Sequence, residues 1–159
     1  TATATGGTNS YGVYNSSSSP TMTDVTATAT GGSNNFGVSN TSSSPTMNNV
    51  TATATGTAGS EFNRGVFNDS SVPVTMNNVT ATATGGSGSY GVYNKDSTAK
   101  IRNSSLTGTS AGEESDSFSI QTAGQQTAYL AHTTLDGTVG QVTNCFGVYN
   151  ASLVEIICE

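Results

Sequence analysis

Polar and apolar positions alternate strictly in one short word, Thr-Ala-Thr-Ala-Thr-Gly, written at Thr1–Gly6, Thr26–Gly31, Thr51–Gly56 and Thr80–Gly85. Such period-2 alternation predicts a strand with one buried and one solvated face. Two further patterns recur between the copies. One is aromatic-Gly-Val-aromatic-Asn, at Tyr11–Asn15, Phe36–Asn40 (Ser39 in place of the second ring), Gly65–Asn68 (without the first), Tyr90–Asn94 and Phe146–Asn150. The other runs from Pro20 to Val25 and Pro45 to Val50 as Pro-Thr-Met with a closing Val, and in longer form from Pro73 to Val79. The units 1–25, 26–50, 51–79, 80–104, 105–133 and 134–159 therefore each hold three strand-like segments separated by turn residues. A unit of this size cannot bury its own apolar face and must stack on its neighbours. The predicted fold class is all-β: a right-handed parallel β-helix, or β-solenoid, of about six coils with three short strands per coil, stacked at ~4.8 Å.

Parity assigns the faces. Val25, Ala27 and Ala29 share one side, which must face the interior, so Thr26, Thr28 and Thr30 point outward. The same count places Tyr11, Val13 and Met22 inside. It predicts interior stacks Tyr11/Phe36/Tyr90/Phe118/Phe146, Val13/Val38/Val66/Val92/Ile120/Val148 and Met22/Met47/Met76/Ile101/Leu130. Asp24, Asn49, Asn78, Asn103 and His132 form a column at the corner before the first strand, where Asn suits turn conformations and side-chain hydrogen bonds along the stack. Gly-Gly after the first strand supplies the positive φ of a sharp corner, and Pro20 and Pro45 open strands, where a missing N–H is tolerated.

The domain reading follows from how the repeat decays. Residues 1–138 are coils, regular over 1–104 and degenerate over 105–138, and 139–159 form a last coil and cap with Leu153, Val154, Ile156 and Ile157. Terminal solenoid repeats are atypical because they cover an open core. Cys145 and Cys158 fall within that cap. A disulfide between them closes a loop worth roughly 2–3 kcal/mol and implies an oxidising compartment; the alternative is two unrelated small apolar side chains. The first unit has no cap and the chain opens at Thr1 inside a repeat, which reads as a piece of a longer protein with upstream coils or a stacking partner.

Composition changes this picture little. Charged residues make up 9% of the chain and its net charge is −6, so the low hydrophobicity lacks the charge excess of a disordered segment. The four basic residues, Arg64, Lys95, Lys100 and Arg102, cannot track a phosphate backbone, which excludes nucleic acid as a partner. No run is apolar enough for membrane insertion, and no targeting segment is present.

The stretches from Tyr11 to Met22 and from Asp24 to Gly32 resemble a group of bacterial right-handed β-helix repeat proteins, pectate-lyase-like in fold, usually secreted and mostly without an assigned function. The closing stretch, from Leu135 through Cys145 to Cys158, is similar to the usual end of those chains. The resemblance covers essentially the whole sequence and implies an extracellular or cell-surface location, while the fold itself hosts lyases, spikes, adhesins and stalks.

Candidate chemistry is sparse. A polysaccharide lyase or hydrolase needs clustered carboxylates on an exposed strand; Asp136 is the single acid in the outward register of the first strand. Glu113, Glu114 and Asp116 read as a solvated acidic loop, and His132 as a corner residue. No metal-ligand spacing and no phosphate-cradling loop occur, so no cofactor, metal or enzymatic activity is expected. Sequons at Asn15, Asn40, Asn49, Asn68, Asn78, Asn103 and Asn150 recur because the repeat does.

What remains is the outward face of the first strand. Its columns are Thr1/Thr26/Thr51/Thr80/Ser105/Thr134, Thr3/Thr28/Thr53/Thr82/Thr107/Asp136 and Thr5/Thr30/Thr55/Thr84/Thr109/Thr138. They define a lattice with ~4.8 Å and ~6.6–6.8 Å spacings. Three readings follow. In the first, the lattice is a by-product of strand propensity, and the chain is a non-catalytic structural or adhesive surface element: a stalk, spike or filament segment that assembles head to tail or laterally with itself. The alternative is ice binding, because the rigid, uncharged, half-methyl grid looks like the ice-binding face of β-solenoid antifreeze proteins. Glycan binding is a third reading.

Overall fold

The computed structural model describes residues 1–57, 59–111, 116–124, 127–140 and 144–156, apart from the side chain of Asn144. Their regular structure is entirely β. The strands are β1 (Ala2–Thr5), β2 (Asn9–Ser16), β3 (Thr21–Thr23), β4 (Thr26–Thr30), β5 (Asn34–Thr41), β6 (Thr46–Thr55), β7 (Phe62–Asp69), β8 (Val74–Thr84) and β9 (Gly88–Lys95). They continue as β10 (Ala99–Arg102), β11 (Ser105–Thr109), β12 (Asp116–Ala123), β13 (Ala128–Ala131), β14 (Thr134–Asp136), β15 (Thr138–Val139), β16 (Asn144–Phe146) and β17 (Tyr149–Asn150).

Every ladder between these strands is parallel and joins one coil to the next, which makes the chain a parallel β-solenoid. One sheet stacks β2, β5, β7, β9, β12 and β15. The other combines the Thr-Ala segments with the Met segments, because β6 and β8 run through the corner between them without a break. Register is that of the repeat: Thr28 pairs with Thr53 and Thr53 with Thr82, and Met22, Met47, Met76, Ile101 and Leu130 follow one another in a column.

Left-handed residues mark three kinds of corner, the second and third recurring from coil to coil and the first absent at Gly56. Gly31 and Gly85 (φ 74° and 80°) make the first; Ser17, Ser42, Ser70 and Asp96 the second; Asp24, Asn49, Asn78, Asn103 and His132 the third, at φ 49° to 55°. The third is the predicted Asn column. Small polar side chains tolerate this conformation, and here they also bond along the stack: Asn49 Nδ2 donates to Asp24 Oδ1 at 3.0 Å and Asn78 Nδ2 to Asn49 Oδ1 at 2.7 Å.

The interior is thin. Ala27, Ala29, Ala52, Ala54, Ala81 and Ala83 are fully buried beside columns of Val38, Val66 and Val92 and of Met47 and Met76. Facing the alanines is a glycine column. A Cβ on Gly37 would lie 2.7 Å from Thr53 N and from Gly65 O, so the glycine edge of one sheet abuts the backbone of the other.

This glycine column corrects the aromatic stack. Gly12, Gly37, Gly65 and Gly91 point inward next to inward Val13, Val38, Val66 and Val92, so two consecutive residues face the core and the parity count breaks there. Ladder pairing likewise passes from Tyr11–Phe36 to Val13–Val38 without pairing the intervening glycines. Tyr11, Phe36, Tyr90 and Phe118 consequently project from the outer face. The Tyr11 ring lies 5.1 Å from that of Tyr14, which is 55% exposed. Phe36 and Tyr90 are buried by neighbouring side chains and not by the interior.

Further expectations change at the C-terminal end. Phe146 pairs with Ala131, in the sheet that carries the Met segments, and is 72% exposed. Val148, although buried, precedes Tyr149, which pairs with Thr134. The place beside Ile120 is taken by Val139, and the place beside Phe118 by Thr138, which therefore leaves the outward Thr column. The cause is length: a single residue, Gly137, separates β14 from β15, so the aromatic-sheet segment of this coil is reached early and the pattern at Phe146–Asn150 falls one segment late. About five turns are thus complete, against the predicted six.

Candidate functional site

The sheet built from β1, β4, the second halves of β6 and β8, and β11 presents the predicted lattice. Pairing holds Thr3, Thr28, Thr53, Thr82 and Thr107 in one row, Thr5, Thr30, Thr55, Thr84 and Thr109 in the next, and Thr26, Thr51, Thr80 and Ser105 in a third. Thr1 immediately precedes β1 and is exposed. Asp136 continues the central row opposite Thr107, and Tyr149 follows Thr134. The alternating alanines of β4, β6 and β8 are fully buried, so the threonines between them are held facing outward, whereas Ala2 and Ala4 of β1 are half-buried.

A contrast between column types decides what these hydroxyls are available for. The interior Asn column bonds from coil to coil: Asn15 Nδ2 to Asn40 Oδ1 (2.8 Å), Asn40 Nδ2 to Asn68 Oδ1 (2.8 Å) and Asn68 Nδ2 to Asn94 Oδ1 (2.7 Å). Buried Ser10, Ser43, Ser60, Ser71, Ser89 and Ser97 likewise bond to backbone groups. Among the described residues, none of the lattice threonines donates or accepts a side-chain hydrogen bond within the protein. Identical hydroxyls ~4.8 Å apart are beyond bonding distance of one another, so their hydrogen-bonding capacity is spent on solvent or a ligand.

The opposite outer face carries a feature that pattern reading missed. Tyr11 stacks on Phe36 (4.9 Å, 11°) and Tyr90 on Phe118 (5.6 Å, 1°), with Phe67 and Tyr93 tilted between them. In the third coil Arg64 takes the ring position. Its guanidinium lies 4.8 Å from the centres of Phe62 and Phe67, 5.0 Å from Tyr93, 5.3 Å from Phe36 and 5.8 Å from Tyr90. Cation–π attraction offsets its desolvation. Burial still holds the guanidinium below its usual pKa, and Nε is buried with no partner. Burial, together with the Asp116 carboxylate that its hydroxyl donates to at 3.2 Å, pushes the Tyr90 phenol up to about 12. Because the stacked rings occupy one another's faces, the band serves as a second, external packing layer. The signal available in the sequence was Gly beside Val in every copy, which marks an inward position without a side chain.

The remaining candidates separate. Asp136 is exposed at the end of a threonine row, and Asp116 is engaged by Tyr90. Glu113 and Glu114 lie outside the described residues. His132 sits at its corner with its ring 5.5 Å from that of Phe146. Among the described residues no three His, Cys, Asp or Glu side chains converge on a metal-sized site. The sequons at Asn40 and Asn68 belong to fully buried side chains of the ladder. Cys145 is disulfide-bonded, and its expected partner, Cys158, lies outside the described residues.

Comparison with family models, curated proteins and solved structures finds no match to this chain.

Proposed function

We propose that the chain is a non-catalytic, extracellular structural or adhesive element: a stalk, spike or filament segment of the bacterial secreted β-helix type. The observation that carries this reading is the coil-to-coil continuity of the fold. Each regular coil offers the next the same backbone ladders, the same Ala, Val and Met columns and the same Asn hydrogen bonds. A stack of this kind adds stability by neighbour contacts and has no point at which it must end, which suits a rod built by length. The bonded Cys145 supports an oxidising compartment. Negative-stain imaging and light scattering of the native protein test the proposal. Rods, lateral or end-to-end assemblies, or retention on a cell surface are expected; a dispersed, unattached monomer overturns it.

The unspent hydroxyls of the threonine lattice favour a second reading, ice binding. Rows of Thr at fixed spacing on a sheet backed by fully buried alanines present methyl and hydroxyl groups in a repeating grid, and the lattice rows of the regular coils carry no charge. Thermal hysteresis and ice recrystallisation inhibition decide it. Activity in the parent, lost in Thr53→Tyr with the β-sheet circular dichroism unchanged, is the expected pattern, because Thr53 is central in the lattice and projects to solvent. An inactive parent ends the idea.

A further inference from the structure

The C-terminal turns hold a cavity of about 390 Å³ beyond the last regular coil, at the end of the row that runs through Ser105, Thr134 and Tyr149, lined by His132, Thr134, Phe146, Gly147, Tyr149 and Glu155. Its walls follow from two departures from the repeat. The corner column Asp24, Asn49, Asn78, Asn103, His132 continues at Gly147 (φ 58°), where the side chain disappears. A Cβ there would begin 3.9 Å from the His132 ring, so the glycine leaves that ring uncovered from above. Next, the chain reverses after β17. Asn150 Oδ1 accepts from Ser152 N (3.0 Å) and Val154 N (2.9 Å), and Asn150 N donates to Val154 O (2.9 Å). The reversal brings Glu155 into an antiparallel bridge with Tyr149, and Ile156 N, donating to Val148 O at 2.8 Å, ties it down.

The lining is thus three rings, a threonine and one carboxylate. Phe146 lies 5.5 Å from His132 and is 72% exposed; Tyr149 is 40% exposed. Glu155 is the single formal charge of the lining, in a chain of net charge −6. Ring faces are electronegative and favour a cation, and a neighbouring carboxylate adds to that potential. The volume is within the range of small-ligand pockets.

We propose that this cavity binds a small organic cation of the quaternary or methylated ammonium class, with Phe146 and Tyr149 contacting its methyl groups and Glu155 supplying the counter-charge. The site is independent of the structural and ice-binding readings. The probe is tetramethylammonium chloride, titrated into the full 159-residue chain at constant ionic strength and followed by NMR shifts of the Phe146, Tyr149 and His132 rings. tert-Butyl alcohol serves as the neutral isostere. A dissociation constant near about 1 mM is expected for the cation. Glu155→Gln and Phe146→Leu should each weaken it about fivefold or more, and the isostere should bind about tenfold less tightly. Phe146→Leu alters an exposed side chain, so the fold persists. Equal binding of the alcohol, cation binding unaffected by Glu155→Gln, or no ring shifts at about 50 mM probe (some fifty times the expected constant) each overturns the proposal.

Discussion

Replacing Asn68 by Leu tests the claim that the interior is held by a polar ladder as well as by apolar stacking. The Asn68 side chain is fully buried, accepts from Asn40 Nδ2 at 2.8 Å and donates to Asn94 Oδ1 at 2.7 Å. Leucine keeps the branched shape but puts two bulkier methyl groups where the carboxamide was, so the change removes the hydrogen bonds and any overpacking adds to the loss in the same direction. It orphans the Asn40 donor and the Asn94 acceptor, at about 1–3 kcal/mol each. Asn94 Nδ2 already lacks a partner, so the substitution leaves that whole carboxamide unbonded. Against a gross loss of about 2–6 kcal/mol stands the transfer of an apolar side chain out of water, worth roughly 1.5–3 kcal/mol. A net destabilisation of about 2 kcal/mol is expected, which for a chain of this length lowers Tm by roughly 4–8 °C. Urea denaturation followed by far-ultraviolet circular dichroism measures it, with the m-value as a check that the transition keeps its cooperativity. A variant as stable as the parent, or more stable, would refute the reasoning and show that Asn is tolerated there without being needed.

The remaining predictions address other columns. Gly37→Ala places a methyl 2.7 Å from backbone atoms of the facing sheet and should cost about 1–3 kcal/mol in urea denaturation, whereas Gly59→Ala, with open space around it, should be near neutral. Because the Tyr90 phenol titrates near 12 when folded and near 10 when unfolded, the unfolded state releases its proton first. Stability from this group is complete below pH 10 and lost as pH rises toward 12, so Tyr90→Phe should flatten the decline of the urea midpoint across that window; parallel declines in parent and variant would contradict it. Reduction of the Cys145 disulfide under native conditions should lower stability by roughly 2–3 kcal/mol, measured as a shift in urea midpoint.

Register, coil period and the outward threonines were legible in the chain because a tandem repeat states each contact several times, and stacking can satisfy identical strands only in identical register. The Asn corner column was legible for the same reason, and its left-handed backbone conformation agrees with the residue type. The side of the aromatics was not. Alternation is counted from side chains, and glycine has none; Gly37 and Val38 both face inward, which shifts Phe36 to the outside, and only the close approach of two backbones reveals it. Arg64 among five rings was hidden likewise, since the columns Phe36–Arg64–Tyr90 and Phe62–Gly88 meet on a face assigned to the core. At the C-terminal end, the pattern Phe146–Asn150 repeats in letters but not in place.

By itself, then, the sequence determined that this protein is a solenoid, where its coils begin, and that a threonine lattice faces water. The tertiary structure decided which residues pair on the second sheet, that its aromatics form an external layer, and how the reversal after β17 brings Glu155 beside the rings of an open cavity. The division has a physical cause. Local alternation and repetition record neighbour contacts of constant spacing, whereas the distance between two facing sheets and the length of a terminal turn are properties of the assembled stack.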